Sequence, residues 1–513
     1  MNYKLLGKIL GKIMILEGVL MLAPLTVSII YKEGARSAIA FAATSAVLIL
    51  LGALLQIPRP ERTFLYQKEG FSLVAIVWIV MGLFGAVPFV INGDIPNYID
   101  AVFEIVSGFT TTGASIIEDI TAISHSSLFW RSFSHWIGGM GILVFVLIFI
   151  PESNDGSSMH LLRAESPGPQ VGKIVSKMKV TTRILYLIYL GLTVLEVVIL
   201  MLDKPLAGYE NEQFFFSLLT AFGCAGTGGF GFVPGSIELL NPFTQYVMAS
   251  FLYLFGINFS IYYLILIGKF REAFKSTELR VYGLMCVVSV TLVFLSLIAR
   301  FEAYPQDYTT EEMFRHAYFQ VASIITTAGF STTDYNVWPM LARTVLLILM
   351  FTGAMAGSTA GGMKTSRVII AVKGAYVKVR QLINPRYVPK AKFEGKNLEE
   401  ETTNNVFAFL TLYFFIILFF MIVLAFDPVN GEVFTIVSDA GSYEVTHGLV
   451  SNLTAVLSCV SNVGPGFEAV GAYGSFAAFS PISKIVLSFA MLMGRLEILP
   501  VLILFNYRTW RKN

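Results

Sequence analysis

The sequence predicts an all-α integral membrane protein with ten transmembrane helices, and three observations support this prediction. The chain of 513 residues is 55% hydrophobic and only 14% charged, and its mean hydropathy is +0.70. Soluble proteins carry about 25% charged residues. The composition therefore excludes disorder, a basic nucleic-acid-binding field and a large soluble catalytic domain. The other two observations are a series of ten long apolar stretches and a glycine-containing peptide that recurs four times.

The apolar stretches set the number of predicted membrane helices. A membrane-spanning helix needs about 20 mostly apolar residues. Ten stretches meet this requirement, at 13–31, 38–57, 70–92, 132–151, 184–202, 243–268, 281–299, 344–370, 405–426 and 485–507. An even number of spans places both ends of the chain on the same side of the membrane.

The connections between these stretches alternate in charge. Most of the 36 lysines and arginines fall in every second connection, at 4–12, 59–68, 163–183, 269–280, 364–396 and 508–512. The other connections are longer and mostly acidic. Because basic connections stay in the cytoplasm, both termini are predicted to be cytoplasmic.

Four outer connections are too long to be simple turns, at 93–131, 203–242, 300–343 and 427–484. Each contains one short apolar run: Ala101–Phe109, Phe214–Phe222, Phe314–Ile325 and Leu449–Val460. These runs are too short to span a bilayer, and they predict half-helices that enter the membrane and return. The predicted units are an N-terminal hairpin (1–60) and four repeats of helix, half-helix and helix (61–160, 161–275, 276–395 and 396–513).

Each predicted half-helix is followed by a related peptide. The four peptides are TTTGAS (110–115), GTGGFG (226–231), TTAGFS (326–331) and SNVGPG (461–466), which align Gly113, Gly229, Gly329 and Gly464. Glycine permits positive φ, so that successive carbonyls can face one axis. Four such segments around a pseudo-fourfold central pore would form rings of carbonyl oxygens that replace the water shell of a cation. The alternative is that these glycines only make tight turns or close helix contacts.

This pattern predicts a selectivity filter and its ion ligands. The predicted filter residues are Thr111, Thr112, Gly113, Thr227, Gly228, Gly229, Thr327, Ala328, Gly329, Asn462, Val463 and Gly464. The predicted cation ligands are Thr111, Thr112, Thr227, Gly228, Thr327, Ala328, Asn462 and Val463.

The eighth apolar stretch contains an unusual density of small residues, in TGAMAGSTAGGMKTSR (352–367). A broken membrane helix in a transporter marks a substrate path or a gate. Gly357, Ser358, Thr359, Ala360, Gly361 and Gly362 are the candidate gate residues. The alternative is a close contact between two helices through small residues.

Two further polar residues stand in apolar surroundings. Arg495 lies near the middle of the tenth stretch, where an arginine costs about 2.5–3.5 kcal/mol on insertion scales, so it should face a pore or a carboxylate. Glu497 is badly placed to pair with it, because residues two apart do not face each other on a helix. Glu104 and Glu468 remain candidate partners. His135, between Phe133 and Trp136, is predicted to cap a helix or to lie at the interface.

Together these peptides resemble the Trk/Ktr/HKT superfamily of potassium transporters, in which one chain imitates four potassium-channel subunits. The most specific stretches are FWRSFSHWIGGMGI (129–142), GSTAGGMKTSR (357–367), SNVGPGF (461–467) and GRLEILP (494–500). The resemblance covers essentially the whole chain. The extra N-terminal hairpin is similar to the TrkH branch rather than the shorter KtrB branch.

The resemblance implies potassium uptake across the cytoplasmic (inner) membrane of a prokaryote, without enzymatic chemistry. K+ would be the transported ion and no organic cofactor would be held. The loop at 357–362 would lie below the filter, with Arg495 beside it in the ion path. Implied partners are a second copy of the chain, membrane lipids and a cytoplasmic TrkA/KtrA-like nucleotide-binding regulatory subunit, with no nucleic acid. Coupling to H+ or Na+, as in a secondary carrier, remains an open alternative.

Overall fold

The computed structural model describes residues 1–60, 65–141, 178–206, 208, 210–299, 308–384, 390–439 and 441–510, and these are mostly helical. The helices of the first half are α1 (Tyr3–Leu20), α2 (Leu22–Ile30), α3 (Ala35–Leu54), α4 (Gln67–Gly85), α5 (Val87–Asn92), α6 (Tyr98–Phe109), α7 (His125–Gly139), α8 (Met178–Leu200), α9 (Gln213–Gly226), α10 (Pro242–Phe255) and α11 (Phe259–Leu266). Those of the second half are α12 (Phe270–Lys275), α13 (Thr277–Ala299), α14 (Thr310–Ile325), α15 (Met340–Phe351), α16 (Thr365–Ile383), α17 (Glu400–Leu424), α18 (Leu449–Ser461), α19 (Pro481–Arg495), α20 (Leu499–Phe505) and α21 (Tyr507–Trp510).

Four short strands interrupt the helical fold. Strands β1 (Lys392–Phe393) and β2 (Lys396–Asn397) form one antiparallel hairpin, and β3 (Val433–Ser438) and β4 (Gly441–Thr446) form another. The second hairpin pairs Val433 with Thr446 at its open end. Both hairpins lie in connections that the sequence placed outside the membrane.

Six segments of the described chain are long and apolar enough to cross a membrane: Tyr3–Ile30, Ala35–Leu54, Lys68–Asn92, Thr182–Leu200, Thr277–Ala299 and Glu400–Leu424. The chain is therefore a multi-pass membrane protein. The count of ten spans stays a prediction. Of the span predicted at 132–151, the structure describes only the part up to Gly141. The boundary predicted between 160 and 161 also lies outside the described residues.

Three of the predicted spans are interrupted by non-helical backbone, and only one of these interruptions was expected. The joints at Met21 and Ala86, between α1 and α2 and between α4 and α5, keep a helical backbone. The stretch 344–370 leaves the helix after Phe351 and resumes at Thr365. The stretches 243–268 and 485–507 were predicted to be continuous, and this was wrong. Helices α10 and α11 meet at 90°, because the Asn258 side chain accepts a hydrogen bond from Ser260 N and starts a new helix.

The break between α19 and α20 has a different cause. Glu497 and Ile498 have left-handed φ values of 55° and 70°, which end α19. Pro500 follows in the first turn of α20, a position where its missing N–H costs nothing. Neither break changes the hydropathy of the stretch, so the apolar count alone could not reveal it.

The four half-helices are α6, α9, α14 and α18, and each contacts two of the helices that follow half-helices. Half-helix α6 packs on α7 of its own repeat and on α19 of the fourth repeat. Half-helix α9 packs on α7 and α10, α14 on α10 and α15, and α18 on α15 and α19. The contacts therefore close into a cycle, which brings the peptides after the four half-helices into one place.

Candidate functional site

The glycine segments, defined as residues 111–113, 227–229, 327–329 and 462–464, touch one another in cyclic order. A Cβ built on Gly113 would lie 2.7 Å from Gly229 N. A Cβ on Gly229 would collide with Ala328 O, and one on Gly329 would collide with Val463 O. A Cβ on Gly464 would lie 2.5 Å from Thr112 O, which returns to the first segment. Each aligned glycine thus faces the backbone of the next segment, where a side chain does not fit.

The first residue of every glycine segment has a left-handed backbone. The φ values are 55° at Thr111, 54° at Thr227, 57° at Thr327 and 55° at Asn462. A β-branched residue in this region is an outlier, and such strain costs about 1–3 kcal/mol per residue. The aligned glycine is also left-handed in three segments, with φ of 81°, 87° and 100°, whereas Gly229 is not. The second segment therefore departs from the other three.

The same hydrogen-bond pattern ends all four half-helices. The second residue of each segment donates its N–H to the carbonyl five residues earlier, at 2.9, 2.9, 2.7 and 2.9 Å for Thr112, Gly228, Ala328 and Val463. The first residue bonds three residues back, which completes a Schellman motif. In all four segments the motif ends at the residue directly before the aligned glycine. It also aims the negative C-terminal end of each half-helix at the glycine segments.

Side chains in the glycine segments hold neighbouring backbone. Asn462 Nδ2 donates to Thr112 Oγ1 at 3.0 Å and to Met491 O at 2.9 Å. The Thr327 hydroxyl accepts from Gly361 N at 2.7 Å. Thr112, Thr327 and Asn462 are fully buried. Within the described residues, no group of three or more His, Cys, Asp or Glu side chains could hold a metal ion.

The loop formed by residues 352–364 lies against the ends of the third and fourth half-helices. Besides the bond from Gly361 N to Thr327, a Cβ on Gly361 would lie 2.7 Å from Ser461 O. A Cβ on Gly362 would lie 3.4 Å from Ser461 O and 3.4 Å from the Thr327 side chain. Thr359 and Ala360 are fully buried. The predicted gate residues and two glycine segments are thus brought together.

The break between α10 and α11 positions this loop. Phe259 N donates to Gly357 O at 3.0 Å, and Met355 N donates to Gly256 O at 3.2 Å. The loop is also closed at its base, where Gly353 N donates to Met363 O at 2.7 Å. The break between α10 and α11, which the sequence did not predict, therefore contacts the 352–364 loop, which it did predict. The Ile-Asn pair after Gly256 was the available signal, because asparagine favours N-caps.

Arg495 joins the 352–364 loop to the end of α7. Its Nη1 donates to Thr359 O at 2.9 Å. Its Nη2 donates to Gly138 O at 2.5 Å and to Gly139 O at 2.8 Å. These acceptors are main-chain carbonyls, and those of α7 are at the helix terminus where a cation is favoured.

The carboxylates considered as partners of Arg495 have other contacts. Glu104 Oε1 lies 2.7 Å from Arg131 Nη2, and both side chains are buried. Glu468 accepts from Ser451 Oγ at 2.9 Å. Glu497 forms an ion pair with Arg367 at the start of α16. The contacts described for the Arg495 guanidinium include three main-chain carbonyls, and these three carboxylates all have other partners.

His135 is a site residue that the sequence assigned wrongly. It lies inside α7, fully buried, with Nδ1 2.8 Å from Gly108 O and its ring 4.3 Å from the Phe230 ring. A Cβ on Gly228 would collide with this ring. Helix α7 is instead capped by Ser124, a preferred N-cap residue that was the signal for an earlier helix start. His135 therefore packs between the first half-helix and the second glycine segment.

Comparisons with known proteins show the family to which the chain belongs. The model of the TrkH family, described as cation transport protein, matches residues 37–511. The Trk system potassium uptake protein TrkH of Vibrio parahaemolyticus is 32% identical over 519 residues, and that of Escherichia coli K12 is 31% identical over 519 residues. Both alignments cover 100% of each chain.

A solved structure is similar over the same length. It is the crystal structure of the potassium transporter TrkH from Vibrio parahaemolyticus, with a TM-score of 0.82, 29% identity and coverage of 100% of both chains. These relatives are transport proteins and not enzymes. The chain described here belongs to the TrkH family of cation transport proteins.

Proposed function

We propose that this chain takes up K+ across the cytoplasmic membrane of a prokaryote, through a pore lined by the four glycine segments. The observation that supports the proposal most is the cyclic contact of four segments that share a left-handed first residue and a Schellman helix end. The relatives named as potassium uptake proteins support the choice of ion.

The proposed ion ligands are the carbonyls of the first two residues of each glycine segment. These are Thr111, Thr112, Thr227, Gly228, Thr327, Ala328, Asn462 and Val463, all of them buried. Rings of carbonyls replace the hydration shell of the ion. The C-terminal ends of four half-helices add negative potential at the same place, which favours cations over anions. The selectivity of the path would then come from backbone geometry, because the side chains are used to hold that geometry.

The proposed gate is the segment 357–362 together with Arg495. The loop lies against the third and fourth glycine segments, and Arg495 is fixed to it through Thr359 O. For an ion about 6 Å from the guanidinium and an effective dielectric constant of about 20, the repulsion is about 3 kcal/mol. That energy corresponds to a factor on the order of a hundred in rate. Movement of the loop and Arg495 together would remove a steric and an electrostatic barrier.

The proposed orientation places the basic connections and both termini in the cytoplasm. Exposed lysines and an arginine on α16 and the β1–β2 hairpin, namely Lys378, Arg380, Lys392 and Lys396, are consistent with the positive-inside rule. Resemblance to the superfamily extends the proposal to a homodimer that binds a cytoplasmic TrkA/KtrA-like nucleotide-binding regulatory subunit. Recovery of such a subunit with the protein from native membranes tests this part.

A proton-coupled carrier is the second candidate function. The observation that favours it is Glu17 in α1, a carboxylate that is 1% exposed and whose oxygens have no hydrogen-bond partner among the described residues. Buried carboxylates inside membrane spans form proton relays in pumps and transporters. Glu17 touches the repeat region at Gly85, where a Cβ would approach its Oε1 at 3.4 Å.

Ion flux in proteoliposomes separates the two candidates. K+, Na+ and pH gradients would be varied independently with the purified protein. A gated pore carries K+ down its own gradient at a rate that does not depend on the pH or Na+ gradient. Accumulation of K+ against its gradient, driven by a pH or Na+ gradient, would establish the coupled carrier instead.

A further inference from the structure

One buried carboxylate oxygen binds the interior of the 352–364 loop and the start of the helix that follows it. Glu278, in the first turn of α13, accepts a hydrogen bond from Ala356 N at 2.8 Å and from Ser366 N at 3.0 Å, both through Oε1. Its residue is only 5% exposed. Ala356 lies inside the loop, and Ser366 lies in the first turn of α16 just after it. Glu278 therefore links the 352–364 loop to the first turn of α16.

A carboxylate suits both of these donors. The N–H groups of the first helical turn have no partner within their own helix, and the helix dipole favours a negative charge there. Ser366 N is one of these donors. The N–H of Ala356 belongs to irregular backbone, which must be satisfied where it is shielded from water. Because the same oxygen accepts from both donors, loss of that oxygen breaks the bond to the loop and the bond to α16 together.

A second carboxylate holds the helix that carries Glu278. Glu394, in the turn of the β1–β2 hairpin, accepts from Glu278 N at 2.9 Å and from Ser276 Oγ at 3.0 Å. It thus caps the N-terminus of α13 from a distant part of the chain. A continuous set of hydrogen bonds runs from the hairpin through Glu394 and Glu278 to the loop.

The hairpin is itself attached to α16, which follows the loop, and to α17. The Phe393 side chain is buried in a cluster with Ile369 and Ile370 of α16 and Val406 of α17. Lys373 Nζ on α16 donates to Lys392 O at 2.8 Å. The other side of the hairpin is exposed at Lys392, Gly395 and Lys396. A partner that binds this exposed side would contact the residues adjoining Glu394.

We propose that Glu278 is the positioning residue that holds the 352–364 loop against the glycine segments, and that the β1–β2 hairpin controls it through Glu394. Displacement of the hairpin would withdraw Glu394 from the start of α13, shift Glu278 and free the loop. The effect on ion flux rests on the proposed role of the loop as a gate. The position of the loop does not depend on that role and is measured separately.

Cysteine labelling reports the position of the loop. Thr359 is fully buried, so a Thr359→Cys variant should react slowly with a water-soluble maleimide in detergent solution. The three native cysteines are free and buried, and the parent without Thr359→Cys gives their background. A second reporter, Thr44→Cys on α3, is also buried and is remote from the loop.

Five substitutions are compared in both reporter backgrounds. Glu278→Leu and Glu394→Ala remove the acceptor oxygens, whereas Glu278→Gln and Glu394→Gln retain one. Glu272→Leu is the matched control. Glu272 lies on nearby α12, and its side chain forms an exposed ion pair with Lys269. A hydrogen bond to a charged acceptor is worth about tenfold or more in an equilibrium constant.

The expected result is labelling of Thr359→Cys at least about tenfold faster with Glu278→Leu and Glu394→Ala. The two glutamine variants and the control should stay within about threefold of the parent, and Thr44→Cys should not change. Unchanged labelling in Glu278→Leu would overturn the inference, and unchanged labelling in Glu394→Ala would overturn the role of the hairpin. Faster labelling of both reporters would mean general loosening and would also overturn it. Faster labelling of Thr359→Cys alone, with unaltered K+ flux, would support the inference and reject the loop as the gate.

Discussion

The guanidinium of Arg495 joins three parts of the molecule that are distant in sequence. Its partners are Thr359 O on the 352–364 loop and the last carbonyls of α7, Gly138 O and Gly139 O. An arginine fork can satisfy several carbonyls at once, which a lysine cannot do in the same geometry. Arg495 therefore has two separable properties, a fixed positive charge and a structural link.

The first prediction separates those properties. Arg495→Ala should raise K+ flux, by up to about a hundredfold if the repulsion is fully expressed at the barrier. The preference for K+ over Na+ should not change, because the glycine segments remain intact. Arg495→Lys keeps the charge and should raise flux much less. Flux of K+, Rb+ and Na+ in proteoliposomes measures both quantities. A folded Arg495→Ala protein that no longer conducts would show that the structural link matters and that the charge is not a barrier.

A second prediction concerns an ionic cluster outside the predicted spans. His125 Nε2 lies 3.2 Å from Glu212, and Nδ1 lies 3.6 Å from Glu33. The close contact with the Glu33 carboxylate raises the pKa of His125 despite partial burial. Burial alone would raise the pKa of Glu33, but the contact with His125 and hydrogen bonds from Ser126 and Ser37 lower it to about 2.

The sign of the pH dependence follows from these two directions. The contribution of His125 is full below its unfolded pKa of about 6.5 and is lost as the pH rises through its raised folded pKa. The contribution of Glu33 is present above about pH 4.5 and is lost only as the pH falls towards 2. Thermal stability should therefore fall as the pH rises above about 6.5, by at most about 1 kcal/mol because the cluster is partly exposed. His125→Gln should flatten this part of the profile, and an unchanged profile would contradict the assignment.

At the scale of single elements, the half-helices were predictable and two of the helix breaks were not. The half-helices α6, α9, α14 and α18 appear because apolar runs of that length cannot span a bilayer, and the glycine peptides mark their ends. The breaks at Gly256–Asn258 and at Glu497–Ile498 lie in stretches whose apolar content predicts a continuous span. The first break arises from the N-cap at Asn258 and from hydrogen bonds to the 352–364 loop. The second arises from the positive φ values of Glu497 and Ile498. The bonds to the loop link residues that are about 100 positions apart, so a local hydropathy pattern does not contain them.

The third prediction concerns the loop as an element. Removal of the four residues between Gly357 and Gly362 should raise K+ flux, because it removes the segment that lies against Thr327 and Ser461. The base of the loop should survive, since Gly353 N and Met363 O lie outside the deletion. Flux in proteoliposomes is the measurement, with protein size and thermal unfolding as checks on folding.

Combination with Arg495→Ala gives a control for this deletion. If the loop and Arg495 act at one barrier, the two effects should be less than additive in log rate, because coupled residues do not act independently. Full additivity would place the loop and Arg495 at separate barriers. A deletion that folds normally and leaves the flux unchanged would contradict the role of the loop.

At the scale of the whole molecule, the sequence repeat predicted more than the individual residues did. Aligned glycines with four half-helices indicated a common site, and the segments do contact one another in a closed cycle. His135 was assigned wrongly because its role depends on the packing of α7 against α6 and α9. The departure of Gly229 from positive φ could not be predicted either, because glycine permits both signs of φ. Long-range packing decides these details, and a sequence repeat carries no record of it.

The central claim is that the four glycine segments form the K+-selective path, and Gly113 offers its most direct test. Gly113 has a φ of 81°, which strains any other residue, and a Cβ at this position would lie 2.7 Å from Gly229 N. Gly113→Ser should therefore displace the second segment and disturb the carbonyl positions. The matched control is Gly34→Ser, because Gly34 also has a positive φ, of 96°, but its Cβ would meet nothing within 4 Å.

The measurement is uptake of K+, Rb+ and Na+ by proteoliposomes that contain the parent protein or one of these two variants. The account predicts that the parent prefers K+ and Rb+ over Na+, that Gly113→Ser loses much of this preference, and that Gly34→Ser keeps it. Equal discrimination between K+ and Na+ in the parent and in a folded Gly113→Ser protein would contradict the claim and would remove Gly113 from the ion path.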